Sequence, residues 1–156
     1  MTTTPDIMYK SILTRLQGDT TLDDYVHNDY VYISHQPLFT QEDDQYVQIV
    51  PGVPTSITSQ AGYYLVREEF DVTIWNRLYV DQGYRSTERF AHATLGVLKL
   101  MSLVRSRLMN HILVGSDGTT ASLPVTFERG SKLFESDEHP GWCYMSDTFT
   151  YGYEIT

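Results

Sequence analysis

The sequence predicts an α+β fold: an antiparallel β-sheet with one long helix and an N-terminal helix packed against it, plus an extended β-hairpin. Two observations carry this. From Tyr63 to Trp75 the residues alternate, with Tyr64, Val66, Phe70, Val72 and Ile74 on one face and Arg67, Glu69, Asp71 and Thr73 on the other. Successive strand side chains point to opposite faces, so the run is a half-buried antiparallel strand. After a short loop, Phe90, Thr94, Val97, Met101, Val104 and Leu108 recur every three or four residues and draw one apolar stripe along a helix.

The strand is long. The run 63–75 would span roughly 43 Å at strand rise, against about 17–20 Å for a usual strand. A compact domain of 156 residues has a radius of gyration of only about 15 Å. The strand therefore bends sharply or runs beyond its own domain.

The remaining elements follow in order. Ile7, Met8, Ile12, Leu13 and Leu16 keep helical spacing from Asp6, a fitting N-cap, to about Gln17, where Gly18 ends the helix. A second helical turn is expected over Leu22 to Val26, guided by Thr20-Thr21 and Asp23-Asp24. Tyr30-Val31-Tyr32-Ile33 and Tyr46 to Val50 read as strands, the latter stopping at Pro51-Gly52. The stretch from Gly52 to Gly62 follows Pro51, contains Pro54 and holds little apolar material. It reads as a loop at the tip of a hairpin made by 46–50 and 63–75. The principal helix runs from Thr87 to about Asn110, capped by Ser86 or Thr87, its stripe widened by Leu95 and Leu98. Asp117-Gly118 marks a turn. Leu123, Val125 and Phe127 alternate into an edge strand, and Met145, Phe149, Tyr151, Tyr153 and Ile155 define a closing strand antiparallel to it. No internal repeat or linker divides the chain, so residues 1–156 read as a single domain.

Composition narrows the function. Tyrosine occurs 12 times and aromatics make up 13% of the chain. Tyr suits sheets and protein interfaces alike, since one side chain offers apolar area and a hydroxyl. Cys143 is the only cysteine, which rules out an internal disulfide, and its place at a strand start fits a buried structural thiol. No basic segment leads into an apolar core after Met1-Thr2-Thr3-Thr4-Pro5-Asp6, and no apolar stretch approaches the roughly 20 residues of a membrane span. The expectation is a soluble protein made in a cytoplasm.

The net charge of −9 is unevenly placed. From Tyr84 to His111, Arg85, Arg89, Lys99, Arg105 and Arg107 face Glu88 alone, so this segment carries +4 and the remainder −13. Such a chain repels free nucleic acid. The basic segment either docks on an acidic surface, including that of a neighbouring copy, or forms a solvated helix face.

Catalytic signals are thin. There is no phosphate loop, dinucleotide fingerprint, nucleophile elbow or His-Glu-x-x-His pair. Glu68 is the one acid on the apolar face of the long strand. Such a carboxylate is more often paired with an arginine, or placed where the strand has left the core, than used as a general acid. The five histidines are scattered, and Glu42-Asp43-Asp44 reads as a solvated loop or a loose hard-cation site. No catalytic residue, cofactor or metal site is assigned.

The order of these elements resembles the tail terminator (tail completion) proteins of long-tailed bacteriophages. The resemblance runs from Ile7-Met8-Tyr9-Lys10-Ser11-Ile12-Leu13-Thr14-Arg15-Leu16 through Tyr46-Val47-Gln48-Ile49 to Arg67-Glu68-Glu69-Phe70-Asp71-Val72-Thr73-Ile74-Trp75, and on into the Gly83-Tyr84 loop and the long helix. The stretches Gly52–Gly62 and 135–141 are enlarged relative to the family's shorter members. The resemblance implies a non-enzymatic virion protein, assembled in the host cytoplasm into a homohexameric ring at the head-proximal end of the tail tube. The ring would stop tube polymerisation and offer a docking surface to the head-completion (stopper) protein, with DNA passing through without specific binding and no membrane involved. Candidate interface residues are Arg67, Glu69, Asp71, Arg85, Arg89 and Arg105, with Pro51, Gly52, Pro54, Thr55 and Ile57 on the arm. Alternative readings are a stopper or adaptor of the neck, and a small α+β ligand-binding or enzymatic domain.

Overall fold

The structure is a computed structural model that describes residues 5–24, 26, 28–39, 45–77, 93–113 and 123–155. Helices α1 (Pro5–Gln17), α2 (Thr20–Asp23) and α3 (Ala93–Leu108) accompany strands β1 (Val31–Ile33), β2 (Gln45–Gln60), β3 (Tyr63–Arg77), β4 (Thr126–Gly130), β5 (Phe134–Glu135) and β6 (Trp142–Ile155). The strands lie in the order β1-β2-β3-β6-β4, and β5 also pairs with β6. All pairings are antiparallel except β1 with β2, which is parallel in the register Val31↔Val47. The predicted α+β architecture is what the chain adopts.

Register decides which residues share a face. β3 and β6 pair continuously from Tyr64↔Ile155 to Arg77↔Trp142, so Val66, Phe70, Val72 and Ile74 join Tyr153, Phe149, Asp147 and Met145 on one face. On that face Met8, Tyr9, Ile12 and Leu16 of α1 meet Val97, Leu100, Met101, Val104 and Leu108 of α3, forming one buried core with the sheet. The stripe of α3 differs from expectation in one place. Leu98 is exposed and Leu100 buried, because residue 98 sits about 100° round the helix from Val97 whereas residue 100 returns to the core side. The predicted start of this helix at Ser86 or Thr87, the Asp117-Gly118 turn and the Glu42-Asp43-Asp44 cluster lie outside the described residues.

Local chemistry explains the small elements. Asp19 caps α2, which starts at Thr20 rather than at the expected Leu22, its carboxylate accepting from the Leu22 amide at 2.8 Å. Arg107 of α3 donates to the same carboxylate, tying the helices together at that corner. Burial alone would raise the Asp19 pKa, but the Leu22 amide and Arg107 outweigh it and hold it below the ordinary value. Cys143 is buried, and burial pushes its thiol up to about 11.

The stretch from Gly52 to Gly62 is not a loop. β2 continues through it to Gln60 and pairs with β3 as far as Gln60↔Tyr63, leaving Ala61-Gly62 as the turn. Gly62 adopts φ 89°, which favours glycine. The low apolar content comes from position rather than from irregular backbone. Beyond Ile49 the strand has no described neighbour on its outer side, and an edge strand accepts prolines and polar residues on both faces. Pro51 and Pro54 flank two register shifts, between Pro51 and Pro54 and between Pro54 and Ser56, where the strand bulges.

Candidate functional site

Two regions carry the exposed chemistry: the hairpin arm and the sheet face opposite the helices. On the arm every described side chain from Pro51 to Ser59 is exposed. Val53, Ile57 and Tyr64 place large apolar groups in solvent there. At the arm's base the Gly52 amide donates to the Tyr9 hydroxyl of α1 at 3.0 Å. A Cβ at Gly52 would lie 1.9 Å from the Glu69 carbonyl oxygen, so only glycine fits this approach of the two strands. Thr55 returns a bond to the same strand, its hydroxyl donating to the Arg67 carbonyl at 3.4 Å.

The second face has an aromatic end and a polar end. Tyr46, Trp75 and Trp142 are buried as a small cluster, with Phe39 stacked on Trp142 at 4.1 Å. Next along the face comes a ladder of hydroxyls and carboxylates. Thr148 donates to Asp71 at 2.6 Å, and Thr150 donates to Glu128 at 3.0 Å. Since Thr150 gives its proton to Glu128, the 2.6 Å contact with Thr126 makes Thr126 the donor there. Arg129 bridges to Glu69 through two bonds of 3.2 and 3.1 Å, and that pairing raises its pKa.

The structure thus brings Arg67, Glu69 and Asp71 together on one face, as their alternation predicts, and places Pro51, Gly52, Pro54, Thr55 and Ile57 on the strand beside them. Arg105 is elsewhere. It lies on the helix side, bonded through Nε and Nη2 (2.9 Å) to both oxygens of Asp147, with its guanidinium 5.5 Å from the Phe127 ring. Arg85 and Arg89 lie outside the described residues.

Sequence reasoning found Glu68 but not its partners. The carboxylate is 4% exposed and accepts from the hydroxyls of Tyr151 at 2.9 Å and Tyr153 at 3.0 Å, not from an arginine. Burial is the main cause that raises both phenol pKa values, followed by the neighbouring Tyr9 and then the Glu68 bond for Tyr151 and by the Glu68 bond for Tyr153, and burial raises that of Tyr9 beside them. Held by two phenols in the core, the carboxylate ties β3 to β6. The signal was present: Tyr151 and Tyr153 sit two apart on the apolar face of β6. What the sequence lacked was the register that sets them opposite Glu68.

The chain is similar over 96% of its length, and 96% of the other's, to a chain of the "Virion of native gene transfer agent (GTA) particle", with a TM-score of 0.70 and 15% sequence identity. A second solved protein, known only by a sequence identifier, matches over 96% and 95% with a TM-score of 0.57 and 14% identity. The likeness is one of fold. No protein-family model and no curated protein matches the sequence.

Proposed function

We propose that this protein is a structural component of a phage-like virion, a tail terminator whose copies close into a ring, of six-fold order as the family resemblance implies, at the head-proximal end of the tail tube. The observation that carries the reading is the fold shared, nearly end to end, with a chain of a virion particle. The order of elements in the sequence supports the finer assignment. The ring stops tube polymerisation and receives the head-completion protein. It needs no catalysis, in keeping with a buried acid that is locked by tyrosines.

The surfaces suit that role. A ring closes through heterologous contacts, so each subunit must show two different complementary surfaces. The arm, with its open strand edge and exposed Val53 and Ile57, is one. The polar sheet face bearing Glu69, Asp71 and Glu128 is the other.

Locating the protein in purified particles tests the reading. Labelling with an antibody or a small tag should mark a single band at the junction of head and tail, and quantitative mass spectrometry should give about six copies per particle. A label on the capsid or at the distal tip, or one copy per particle, would reject it.

A further inference from the structure

A cleft of about 550 Å³ opens beside the aromatic cluster, between β3, β6 and the loop after β5. It belongs neither to the arm nor to the hydroxyl ladder. Its floor is a row of rings, with Phe134 against Tyr144 at 5.6 Å and Tyr144 against Trp75 at 4.8 Å, each pair tilted by 34°. Its rim is the loop bearing Glu135, Asp137 and Glu138. No lysine or arginine is among its described lining residues, and among the described residues none of the three carboxylates has an ion-pair partner.

We propose that this cleft receives an arginine side chain from a basic segment of a partner protein. The polar groups of the floor are already committed. The Trp75 indole donates to Gln48 at 2.8 Å, and Gln48 donates onward to the Ser34 carbonyl at 3.0 Å. Thr73 and Ser146 bond to each other at 3.0 Å. What remains for a ligand is ring faces and the imidazoles of His35 and His139, with the three carboxylates of the rim as the only acids of the lining. That combination repels phosphates and carboxylates, and it fits a planar cation that stacks on rings while offering forked donors to carboxylates.

Two further observations narrow the ligand. The neighbouring part of the same aromatic cluster already holds a guanidinium, with Arg77 4.9 Å from the Trp142 ring centre. The rim is also built rather than slack. The Ser136 amide donates to the Trp142 carbonyl at 2.9 Å, the Trp142 amide to His139 at 3.2 Å, and the His139 amide to the Ser136 hydroxyl at 3.0 Å. The carboxylates are thus carried on a loop closed on itself, and an entering cation need order little backbone. This site goes beyond the ring reading and does not depend on it.

The test uses the full chain and a capped peptide, Gly-Arg-Gly-Arg-Gly, followed by NMR at the Trp75 indole N–H in low salt. Saturable movement is expected. It should weaken at least tenfold when the peptide's arginines are replaced by citrulline, which keeps the shape and removes the charge. A protein with Glu135→Gln, Asp137→Asn and Glu138→Gln should lose binding by a similar factor, and its unchanged amide spectrum elsewhere would confirm that it folds. Equal binding of the citrulline peptide, no movement with either peptide, or undiminished binding by the neutralised protein would each overturn the proposal. Magnesium or spermidine moving the same signal at lower concentration than the peptide would also overturn it, in favour of a small-cation site.

Discussion

Arg105 of α3 and Asp147 of β6 form a two-pronged ion pair on the core side of the sheet, and the two ends differ in exposure. The Asp147 side chain is fully buried, whereas about a third of the Arg105 side chain (36%) remains exposed. The aspartate is therefore the end that depends on its partner. Its place among Met145, Phe149 and Tyr151 on the core face is tolerable only because the guanidinium reaches it across the edge of the sheet.

We predict that Arg105→Ala lowers stability by about 2–4 kcal/mol, somewhat below the full cost of stranding a buried charge because the arginine is partly solvated. Arg105→Met combined with Asp147→Leu should recover most of the loss, since two apolar groups leave no charge unpaired. Urea unfolding midpoints measure both. A single variant as stable as wild type would mean that water reaches Asp147 and the pair is incidental.

The three phenols around Glu68 predict an alkaline limb. Burial raises the pKa values of Tyr151, Tyr153 and Tyr9 above the ordinary phenol value. The unfolded chain therefore releases these protons first, near pH 10. Their contribution to stability is complete below that pH and is lost as pH rises toward the folded-state values. Each proton contributes a slope of about 1.4 kcal/mol per pH unit while only the unfolded form is ionised. Tyr151→Phe should flatten the limb by about one such slope and cost about 1–3 kcal/mol at neutral pH, because Glu68 loses one of its two donors. Denaturation series between pH 8 and 11 would show it, and an identical limb in the variant would disconnect Tyr151 from the alkaline transition.

Much of this was legible in the chain, for physical reasons. Period-two alternation in 63–75 and the three-four spacing of Val97, Met101, Val104 and Leu108 reflect burial against a sheet, and burial writes itself into hydrophobicity. The extent of β2 was not legible in the same way. Pro51, Pro54, Thr55, Ser56 and Thr58 carry loop chemistry, yet they form an edge strand because β3 supplies hydrogen bonds on one side and solvent supplies them on the other. Pairings across the sheet were also hidden. Glu68 and Asp147 each interrupt an apolar alternating set, which marks them as unusual, but only register and the crossing of α3 assign their partners. Arg105 shows the consequence: only partly exposed, it is occupied within its own chain.

Gly52 should prove the least replaceable residue of the arm. A Cβ there would press on the Glu69 carbonyl, and moving the strand aside would also break the hydrogen bond from the Gly52 amide to the Tyr9 hydroxyl. We predict that Gly52→Ala costs about 1–3 kcal/mol, in the range of an overpacked core site. The damage should be local, with faster hydrogen exchange from residue 52 to the turn and little change in α1 or α3. Unchanged exchange and an unchanged unfolding midpoint would show that the bulge absorbs the methyl group freely.

The arm's exposed apolar residues are where stability and assembly should part company. Val53 and Ile57 are about two-thirds exposed (66% and 63%), so they contribute little to the folded monomer. Substitution at such positions usually shifts stability by no more than about 0.5 kcal/mol. Two large aliphatic groups held in solvent beside an open strand edge nonetheless form a surface that association would cover, since the edge offers backbone bonds and the side chains add apolar area. We predict that Val53→Asp with Ile57→Asp leaves the thermal midpoint within a degree or two while sharply reducing the yield of joined particles in complementation. The charge must then be desolvated at the contact, a cost the free subunit never meets. Normal particle yield from the double variant would remove the arm from the assembly contact, and unfolding of the variant would show instead that these side chains belong to the core.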